Sequence, residues 1–369
     1  MNLKEIPISK PFFNREEINE VKKVMLEGNL TNSSFEGGKR VRELESMLCK
    51  FVGSRYAVAL NSGTAALHAS LLALGIGRGD EVLVPSFTFL ATANAVVATG
   101  ATPIFVDIIK EDYTIDPDDL GKKVTSRSKG IIPVHLYGHT AEMKRINEIA
   151  SKHSLHVIED ACQSLGSTYN GKQSGSVGKI GCFSFYASKV LTSGEGGAIV
   201  TNSRDLADRI RMIRNHGMLE GYDTRTFGLN MRMTEISAAI ASVQMRKIKG
   251  MLQIRRKNAL MLTKLLRDLG MDLPEEKDGS RYNWYLYTVA VDDRDYVLKK
   301  LNSSGIGATV YYRTPVHRTP FYAGSKISLP NTEWAAAHVL SLPVHPLVTP
   351  CDIKYIAKSL RKLLSKDYK

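Results

Sequence analysis

Residues 184–197 read SFYASKVLTSGEGG and are the most informative segment of the chain. Its one lysine, Lys189, lies between an apolar run at 182–187 and a glycine-rich loop that leads into a second apolar run at 198–201. Short apolar runs bounded by turn residues are typical of β-strands. The pattern therefore predicts that Lys189 lies at a strand end, in a partly desolvated pocket.

Two interpretations of Lys189 stay open at this stage. In a desolvated pocket, burial disfavours the ammonium form, and the neutral amine can form a Schiff base with a carbonyl compound. The alternative is an ordinary surface lysine in a loop. This segment alone does not separate the two.

The length and composition predict a soluble globular protein with about two domains. The four cysteines are scattered and form no CxxC pair, which argues against a disulfide framework or a zinc knuckle and favours the reducing cytoplasm. The N-terminus lacks the apolar core of a signal peptide. No apolar run approaches the roughly 20 residues of a membrane span. We therefore expect a cytoplasmic protein with no membrane partner.

The chain carries a formal net charge of +13. Such an excess fits nucleic-acid binding, affinity for an anionic surface, or a pocket for phosphorylated ligands. Much of it lies in three patches, at 246–249, 255–257 and 361–369. The C-terminal segment shows apolar residues at helical spacing from Ile353 to Leu364, with lysine and arginine between them, and no regular aromatic pattern for base stacking. It therefore predicts a solvated terminal helix rather than a nucleic-acid-binding arm.

From residue 56 to residue 203, apolar strands alternate with helical segments, which indicates an α/β fold with a mostly parallel sheet. A long helix is predicted over 234–269. Beyond it, strands at 285–291 and 308–312 and a helix at 296–303 predict a smaller α/β lobe. We divide the chain into a large domain, residues 1–250 with the N-terminal segment, and a small C-terminal domain, residues 251–369. The predicted strands of the large domain are 56–60, 81–84, 102–106, 130–133, 156–158, 181–186 and 198–201.

Ligands of open α/β sheets bind beyond the carboxyl ends of the strands. Residues 61–66, NSGTAA, follow the first predicted strand and begin a helix. Gly63 allows close backbone approach, and free N–H groups at the helix N-terminus can hold a phosphate. Helix capping by Ser62 or Thr64 needs the same residues and remains an equal alternative.

A second candidate site follows the predicted strand at 156–158. Glu159 and Asp160 are delivered to the strand end, and Gln163 follows three residues later. A carboxylate there can hold a protonated ring nitrogen, and Gln163 can reach a phenolic oxygen. The alternative, that Asp160 caps a following helix, stays open.

Aromatic residues follow the predicted strand at 81–84, in the segment PSFTF at 85–89. A core phenylalanine is the ordinary interpretation, and a ring that stacks on a planar cofactor is the alternative. His135 and His139 are four residues apart, but Pro133 and Gly138 argue against a zinc-binding helix, so no metal site is predicted.

Together, these candidate sites are what a protein needs to hold pyridoxal 5′-phosphate. They are a phosphate-binding helix N-terminus, an aromatic ring that can stack on the cofactor, an aspartate with a nearby glutamine at a strand end, and a lysine in a pocket. At this point the chain resembles the DegT/StrS family of sugar aminotransferases, which have the fold-type I architecture. The resemblance covers nearly the whole chain. It is carried by the segments NSGTAALHASLLALGIGRGDEVLVPSFTFLATANAV, VIEDACQSLGSTYNGKQSGSVG, FSFYASKVLTSGEGGAIVTN and GLNMRMTEISAAI.

The resemblance implies a large domain with a mostly parallel mixed sheet flanked by helices, a smaller C-terminal α/β domain, and roles for individual residues. Lys189 matches the lysine that carries the cofactor aldehyde, and Asp160 matches the partner of the pyridine nitrogen. Gln163 matches the residue beside the phenolic oxygen, and Phe89 matches the stacking aromatic. Cys162 stands where many relatives have alanine.

The same resemblance assigns the phosphate contacts. Thr64, Ala65 and Ser184 fall where the family holds the cofactor phosphate. Asn230 and Arg232 lie in the loop that, in the family, reaches the phosphate of the neighbouring subunit. The resemblance therefore implies a homodimer with shared active sites.

By resemblance, the expected reaction moves an amino group from L-glutamate onto a nucleotide-linked keto-sugar, giving an amino-sugar for polysaccharide, glycan or natural-product biosynthesis. His216, Tyr311 and His317 are candidate substrate contacts, and His345 is a further candidate. For His216, a place in the C-terminal cap of a helix is an equal alternative. Relatives with histidine in place of the lysine act as dehydratases, so a nucleotide-sugar dehydratase is one alternative. A basic nucleic-acid-binding protein is the non-enzymatic alternative; with the enzyme interpretation, no nucleic-acid partner is expected.

Overall fold

The computed structural model describes residues 5–324 and 327–364, so the basic patch predicted at 361–369 lies partly outside the described residues. Among the described helices, none is long and apolar enough to cross a membrane. The helices are α1 (Arg15–Glu27), α2 (Lys39–Val52), α3 (Gly63–Ala73), α4 (Ala91–Ala98), α5 (Pro117–Lys123), α6 (Met143–Lys152), α7 (Arg204–Ile213), α8 (Glu235–Leu266), α9 (Arg294–Ser303), α10 (Pro330–His338) and α11 (Pro350–Leu364). The strands are β1 (Tyr56–Leu60), β2 (Glu81–Pro85), β3 (Thr102–Val106), β4 (Ser128–Ile131), β5 (His156–Asp160), β6 (Thr168–Tyr169), β7 (Lys172–Gln173), β8 (Ile180–Ser184), β9 (Gly197–Thr201), β10 (Ser280–Arg281), β11 (Tyr287–Ala290) and β12 (Val339–Leu342).

The central sheet has seven strands in the order β1-β9-β8-β5-β4-β2-β3. Strands β3, β2, β4, β5 and β8 pair in parallel, whereas β9 is antiparallel to both of its neighbours, β8 and β1. The prediction of a mostly parallel mixed sheet is confirmed. Because all strands except β9 run in one direction, their carboxyl ends meet at one edge of the sheet.

Alternate strand residues face opposite helical layers, as the two-residue period of a strand requires. On β1, Val58 and Leu60 pack in a core with residues of α3, α4 and α7. Ala57 and Ala59 pack in a second core with residues of α2 and α8. Helix α3 is buried on nearly every side, which explains its apolar sequence.

Side-chain caps fix where several helices begin. Asn14 and Glu17 form a capping box at the start of α1. Thr234 accepts the N–H of Ser237 at the start of α8. Caps of this kind satisfy backbone N–H groups that have no partner inside the helix.

Helix α8 passes from the large domain into a second core. Its residues up to Met251 pack in the large-domain core, whereas Ala259, Leu262 and Leu266 pack with β11, β12 and α11. This change of partners supports our division of the chain near residue 250, which we keep as a proposal. The strand predicted at 308–312 was wrong: Thr309 forms only an isolated bridge with Ser341, and the positive φ of Tyr312 ends extended backbone.

The N-terminal strap, residues 6–12, ties the two domains together. Ile6 exchanges backbone hydrogen bonds with Gly305 and Gly307 in the small domain. Further along, the side chain of Ser9 donates to the carbonyl of Ser188, and Gln244 of α8 donates to the carbonyl of Phe12. Ile6 packs in the core that β11, β12 and α11 form with the end of α8.

His345 anchors the strap to the small domain. Its Nε2 donates to the carbonyl of Pro7 at 3.0 Å, and its Nδ1 accepts the N–H of Leu347 at 3.3 Å. This pairing uses the neutral ring. Burial lowers the pKa of His345 from 6.5 to about 4.

Acidification should therefore destabilise the protein through His345. The unfolded chain binds a proton at His345 below about pH 6.5, whereas the folded protein binds it only near pH 4, so stability falls as the pH falls across this window. The loss from this group amounts to at most about 3 kcal/mol. The variant His345→Gln keeps a donor and an acceptor but cannot titrate, so its unfolding free energy should depend less on pH. Denaturant unfolding between pH 7 and pH 4.5 measures this, with the exposed His216→Gln as the control. Equal pH dependence in His345→Gln and the native protein would contradict the assignment.

Candidate active site at the carboxyl edge of the sheet

Four chain segments meet at the carboxyl edge of the sheet. They are the β1–α3 turn, the β2–α4 loop, the residues at the end of β5, and the β8–β9 loop. A methyl group on Gly63 would lie 2.8 Å from Cβ of Ser184 and 2.9 Å from Sγ of Cys162. Only glycine allows these segments to approach so closely.

The β1–α3 turn exposes a helix N-terminus. The side chain of Ser62 accepts the N–H of Ala65 at 3.1 Å, so the capping alternative is what the structure shows for Ser62. The N–H groups of Gly63 and Thr64 have no acceptor among the described residues, and Thr64 is exposed. Free N–H groups and an exposed hydroxyl at a helix N-terminus form an anion site.

Asp160 lies at the last position of β5 and is buried. Its Oδ2 accepts the hydroxyl of Thr92 at 2.9 Å, and its Oδ1 accepts the N–H of Cys162 at 3.2 Å. No helix follows before Arg204, so the capping alternative for Asp160 was wrong. Each carboxylate oxygen therefore accepts one hydrogen bond, and together these fix the orientation of the side chain.

The neighbouring carboxylate, Glu159, has a different task. It points to the other face of β5, where it accepts the N–H groups of Gly175, Val177 and Gly178. The Nε2 of His135 donates to it at 2.8 Å, because the Nδ1 of the same ring accepts a backbone N–H. Of the two carboxylates at this strand end, Asp160 alone faces the candidate site.

Lys189 follows β8 in a turn and is half-buried. Its ammonium lies 4.9 Å from the ring centroid of Tyr285. Burial raises the pKa of the Cys162 thiol; the charge of Asp160 adds to this shift and that of Lys189 opposes it. The charges of Lys189 and Asp160 are therefore both close enough to Cys162 to change the pKa of its thiol.

Gln163 connects two tyrosines beside Asp160. Its Oε1 accepts the N–H of Tyr137, and its Nε2 donates to the hydroxyl of Tyr312, both at 2.9 Å. The two tyrosine rings are stacked with centroids 6.2 Å apart. The side-chain amide of Gln163 is thus held at both ends.

The β2–α4 loop contains two phenylalanines, one in the core and one at the surface. Phe87 is fully buried and packs against other rings of the core. Phe89 is 59% exposed. Phe87 is therefore the core residue, and Phe89 is free to stack on a planar ligand.

Asn230 and Arg232 lie beside the β1–α3 turn. Arg232 forms a bridge with Leu60 and donates to the side chain of Asn215 at 2.7 Å. Asn230 is exposed. His216 is exposed too, in a left-handed conformation with φ +57° after the end of α7.

Of the candidate substrate residues in the small domain, the structure brings one to the site. Tyr311 is half-buried next to Tyr312. His317 is 1% exposed, and its ring nitrogens bond Ser86 at 2.6 Å and Glu333 at 3.2 Å. His345 is likewise buried, with both nitrogens engaged. We therefore withdraw His317 and His345 as substrate contacts.

Comparison with known proteins identifies the family. The sequence pattern of the DegT/DnrJ/EryC1/StrS aminotransferase family matches residues 13–361. The chain belongs to this family. Enzymes of this family depend on pyridoxal 5′-phosphate.

Individual relatives of this aminotransferase agree along the full length. A UDP-2-acetamido-2-deoxy-3-oxo-D-glucuronate aminotransferase of Pseudomonas aeruginosa is 40% identical over 332 residues, covering 90% of this chain and 92% of the relative. The solved structure of DesV from S. venezuelae gives a TM-score of 0.92 at 34% identity, covering 98% of this chain and 100% of that one. The PLP-form of a protein from Streptococcus pneumoniae gives a TM-score of 0.93 at 26% identity, covering 99% and 100%.

The residues of this aminotransferase fit its cofactor. Asp160 supplies a buried acceptor for a ring N–H, and the β1–α3 turn supplies unpaired N–H groups for a phosphate. Because Gly63 has no side chain, the space next to Ser184 and Cys162 is not filled. Among the described residues, no group of three or more His, Cys, Asp or Glu side chains could hold a metal ion.

Sequence reasoning missed Thr92 and Tyr285. Thr92 lies four residues after Thr88, and their hydroxyls are 3.0 Å apart, so two threonines at helical spacing were the available signal. Tyr285 gave no signal, because its contact with Lys189 joins residues far apart in the chain.

Thr92 should support cofactor binding through Asp160. The variant Thr92→Val keeps the shape of the side chain but removes the hydroxyl that donates to Oδ2. Losing one hydrogen bond to a charged group should weaken pyridoxal phosphate binding about tenfold. Absorbance titration of the cofactor-free protein measures this. Thr99→Val, which removes a hydroxyl from the other end of α4, is the control. Unchanged affinity in Thr92→Val would show that Asp160 does not need this donor.

Proposed function

We propose that this protein is a pyridoxal-phosphate-dependent aminotransferase that moves an amino group from L-glutamate onto a nucleotide-linked keto-sugar. The product is an amino-sugar for polysaccharide, glycan or natural-product biosynthesis. The observation that carries the proposal is the meeting of Lys189, Asp160 and the open β1–α3 turn at one edge of the sheet, in a chain of this aminotransferase family.

When bound, pyridoxal phosphate supplies an aldehyde that takes up the amino group and a ring that accepts an electron pair. Lys189 would hold the cofactor through its amine, and when this amine is free it would take the proton from the α-carbon of the amino donor. Asp160 stabilises a proton on the ring nitrogen. Because Thr92 and the N–H of Cys162 already hold its two oxygens in place, Asp160 needs little rearrangement to do so.

The remaining residues bind and orient. The N–H groups of Gly63 and Thr64 and the hydroxyls of Thr64 and Ser184 hold the phosphate, and the N–H of Ala65 stays with Ser62 in the helix cap. Gln163 donates to the phenolic oxygen, exchanging its present partner, Tyr312. Phe89 covers one face of the ring.

Tyr311 and His216 are the residues that we propose to contact the substrate. Tyr311 lies next to Tyr312, which is hydrogen-bonded to Gln163. The backbone N–H of the exposed His216 donates to the carbonyl of Leu229, the residue before Asn230. A nucleoside diphosphate substrate suits the net charge of +13. The name of the relative from Pseudomonas aeruginosa makes a UDP-linked 3-keto sugar the first substrate to test.

We also propose a homodimer in which each site takes Asn230 and Arg232 from the partner subunit. Exposed apolar side chains on α1 and in the segment before Asn230 support the proposal, because a partner subunit would remove them from water. A cytoplasmic location is proposed from the cysteines, all four of which are free. The exposed apolar residues are Ile18, Met25, Leu26, Leu219, Phe227 and Leu229.

Replacing Lys189 tests the chemistry. Borohydride reduction of the native protein should fix the cofactor to the peptide that contains Lys189, found by mass spectrometry. Lys189→Ala should lose the label and essentially all amino transfer from glutamate to a UDP-linked 3-keto sugar, whereas the exposed control Lys172→Ala keeps both. A label on another lysine would overturn the proposal. So would consumption of the keto-sugar without glutamate, since that is the outcome expected of a dehydratase.

Mixing two inactive variants tests the shared site. In a dimer of Lys189→Ala with Arg232→Ala, one site carries both defects and the other carries none, so random mixing should restore about a quarter of native activity. Mixing Lys189→Ala with Asp160→Ala is the control and should restore nothing, because both residues belong to the same subunit's part of the site. No recovery in the first mixture would place Arg232 in its own subunit's site.

A further inference from the structure

A turn of the small domain, residues 283–285, lies next to Lys189 and has a strained backbone. Trp284 has φ +54° and is 1% exposed. A bulky side chain in the left-handed region costs free energy and persists only where the surroundings enforce it. The strain at Trp284 therefore indicates that the backbone of residues 283–285 is held in place for the sake of its neighbours.

Hydrogen bonds from two buried side chains enforce this turn. Asn283 donates to the carbonyls of Gln163 and Leu165 and accepts the N–H of Tyr285 at 2.8 Å. The guanidinium of Arg255 donates to the carbonyls of Trp284 and Tyr285, at 3.3 and 3.1 Å. The turn is thereby fixed both to the segment that follows Asp160 and to α8.

The turn presents Tyr285 to the cofactor lysine. The Tyr285 hydroxyl lies 3.1 Å from Oγ of Ser188, and the Lys189 ammonium lies 4.9 Å from the ring centroid. This distance is within the range of a cation–π interaction. Lys189 forms no ion pair with a carboxylate among the described residues. The face of the Tyr285 ring is therefore a direct contact for its charge.

We propose that Tyr285 is a positioning residue that holds the amine of Lys189 whenever this amine is not bonded to the cofactor. The proposal rests on the proposed function, since it concerns pyridoxal phosphate. Attachment forms a C=N bond between the lysine nitrogen and the aldehyde carbon, releases one water, and needs no oxidant or reductant. Tyr285 acts on Lys189 and not on the reacting atoms of the substrate.

The contact with Tyr285 should change the relative affinities for the two cofactor forms. An interaction made only with the free amine stabilises the cofactor-free protein and the protein that holds pyridoxamine phosphate, because Lys189 is unbonded in both. It does not stabilise the form in which Lys189 is bonded to pyridoxal phosphate. Weakening the ring contact should therefore raise the affinity for pyridoxal phosphate and leave the affinity for pyridoxamine phosphate unchanged.

The experiment compares the two cofactor forms on the cofactor-free full-length protein. Dissociation constants for pyridoxal phosphate and pyridoxamine phosphate are measured by absorbance titration. Tyr285→Leu should raise the preference for pyridoxal phosphate about two- to fivefold, the range of a single cation–π contact. Tyr285→Phe keeps the ring and should stay near the native preference. The surface pair formed by Lys300 and Tyr296, with the ammonium 5.5 Å from the ring centroid, provides the control Tyr296→Leu, which should change nothing.

A second series of variants keeps the proposal testable if Tyr285→Leu does not fold. Phenylalanine with one, two or three ring fluorines at position 285 keeps the shape of the ring while weakening its negative face. The preference for pyridoxal phosphate should rise with each fluorine, a response that a purely structural role of the side chain would not give.

Two results would overturn the role of Tyr285. One is a parallel loss of affinity for both cofactor forms, and the other is a preference that does not change, or falls, along the fluorine series. In either case, borohydride labelling of native Lys189 would leave the proposed function intact. If the native protein takes up no pyridoxal phosphate at Lys189, the proposed function fails and this inference fails with it.

Discussion

The close packing of β9 against the β1–α3 turn is the constraint on which the site depends. Strand β9 returns antiparallel between β8 and β1, and its first residue, Gly197, lies against the carbonyl of Ser62. Any side chain at Gly197 would overlap that carbonyl. Because this position is bare, the loop with Lys189 emerges beside the turn that can hold a phosphate. The amine and the anion site are thus brought together by the sheet itself rather than by a mobile loop.

The sequence predicted the parts of the fold that depend on local pattern. Apolar runs marked all seven strands of the central sheet, and glycine and turn residues marked their ends. The pattern could not reveal that β9 runs against its neighbours, because strand periodicity carries no direction. It also could not show that Glu159 and Asp160 would separate to opposite faces. That separation follows from the two-residue period once the strand is known to extend through Asp160.

The predictions that were wrong concern residues whose surroundings are set by contacts between distant parts of the chain. Histidine is common in active sites, so His317 and His345 were reasonable candidates by type, but tertiary packing buries both and engages their nitrogens. Tyr312 lies in a segment that reads as a strand, yet its left-handed backbone turns the ring toward Gln163. Strain of this kind conflicts with local preference, and only the surrounding structure can enforce it.

The N-terminal strap also limits how far the two lobes can separate. Between Ile6, bonded to the small domain, and Phe12, bonded to α8, the backbone spans only six peptide links. A fully extended chain of that length reaches about 20 Å, so the two anchor points cannot lie farther apart than this while both are bonded. Hinge opening beyond this reach requires breaking one anchorage. Within this span, Ser9 donates to the carbonyl of Ser188, the residue before Lys189, so the segment that limits the separation of the lobes also contacts the lysine loop.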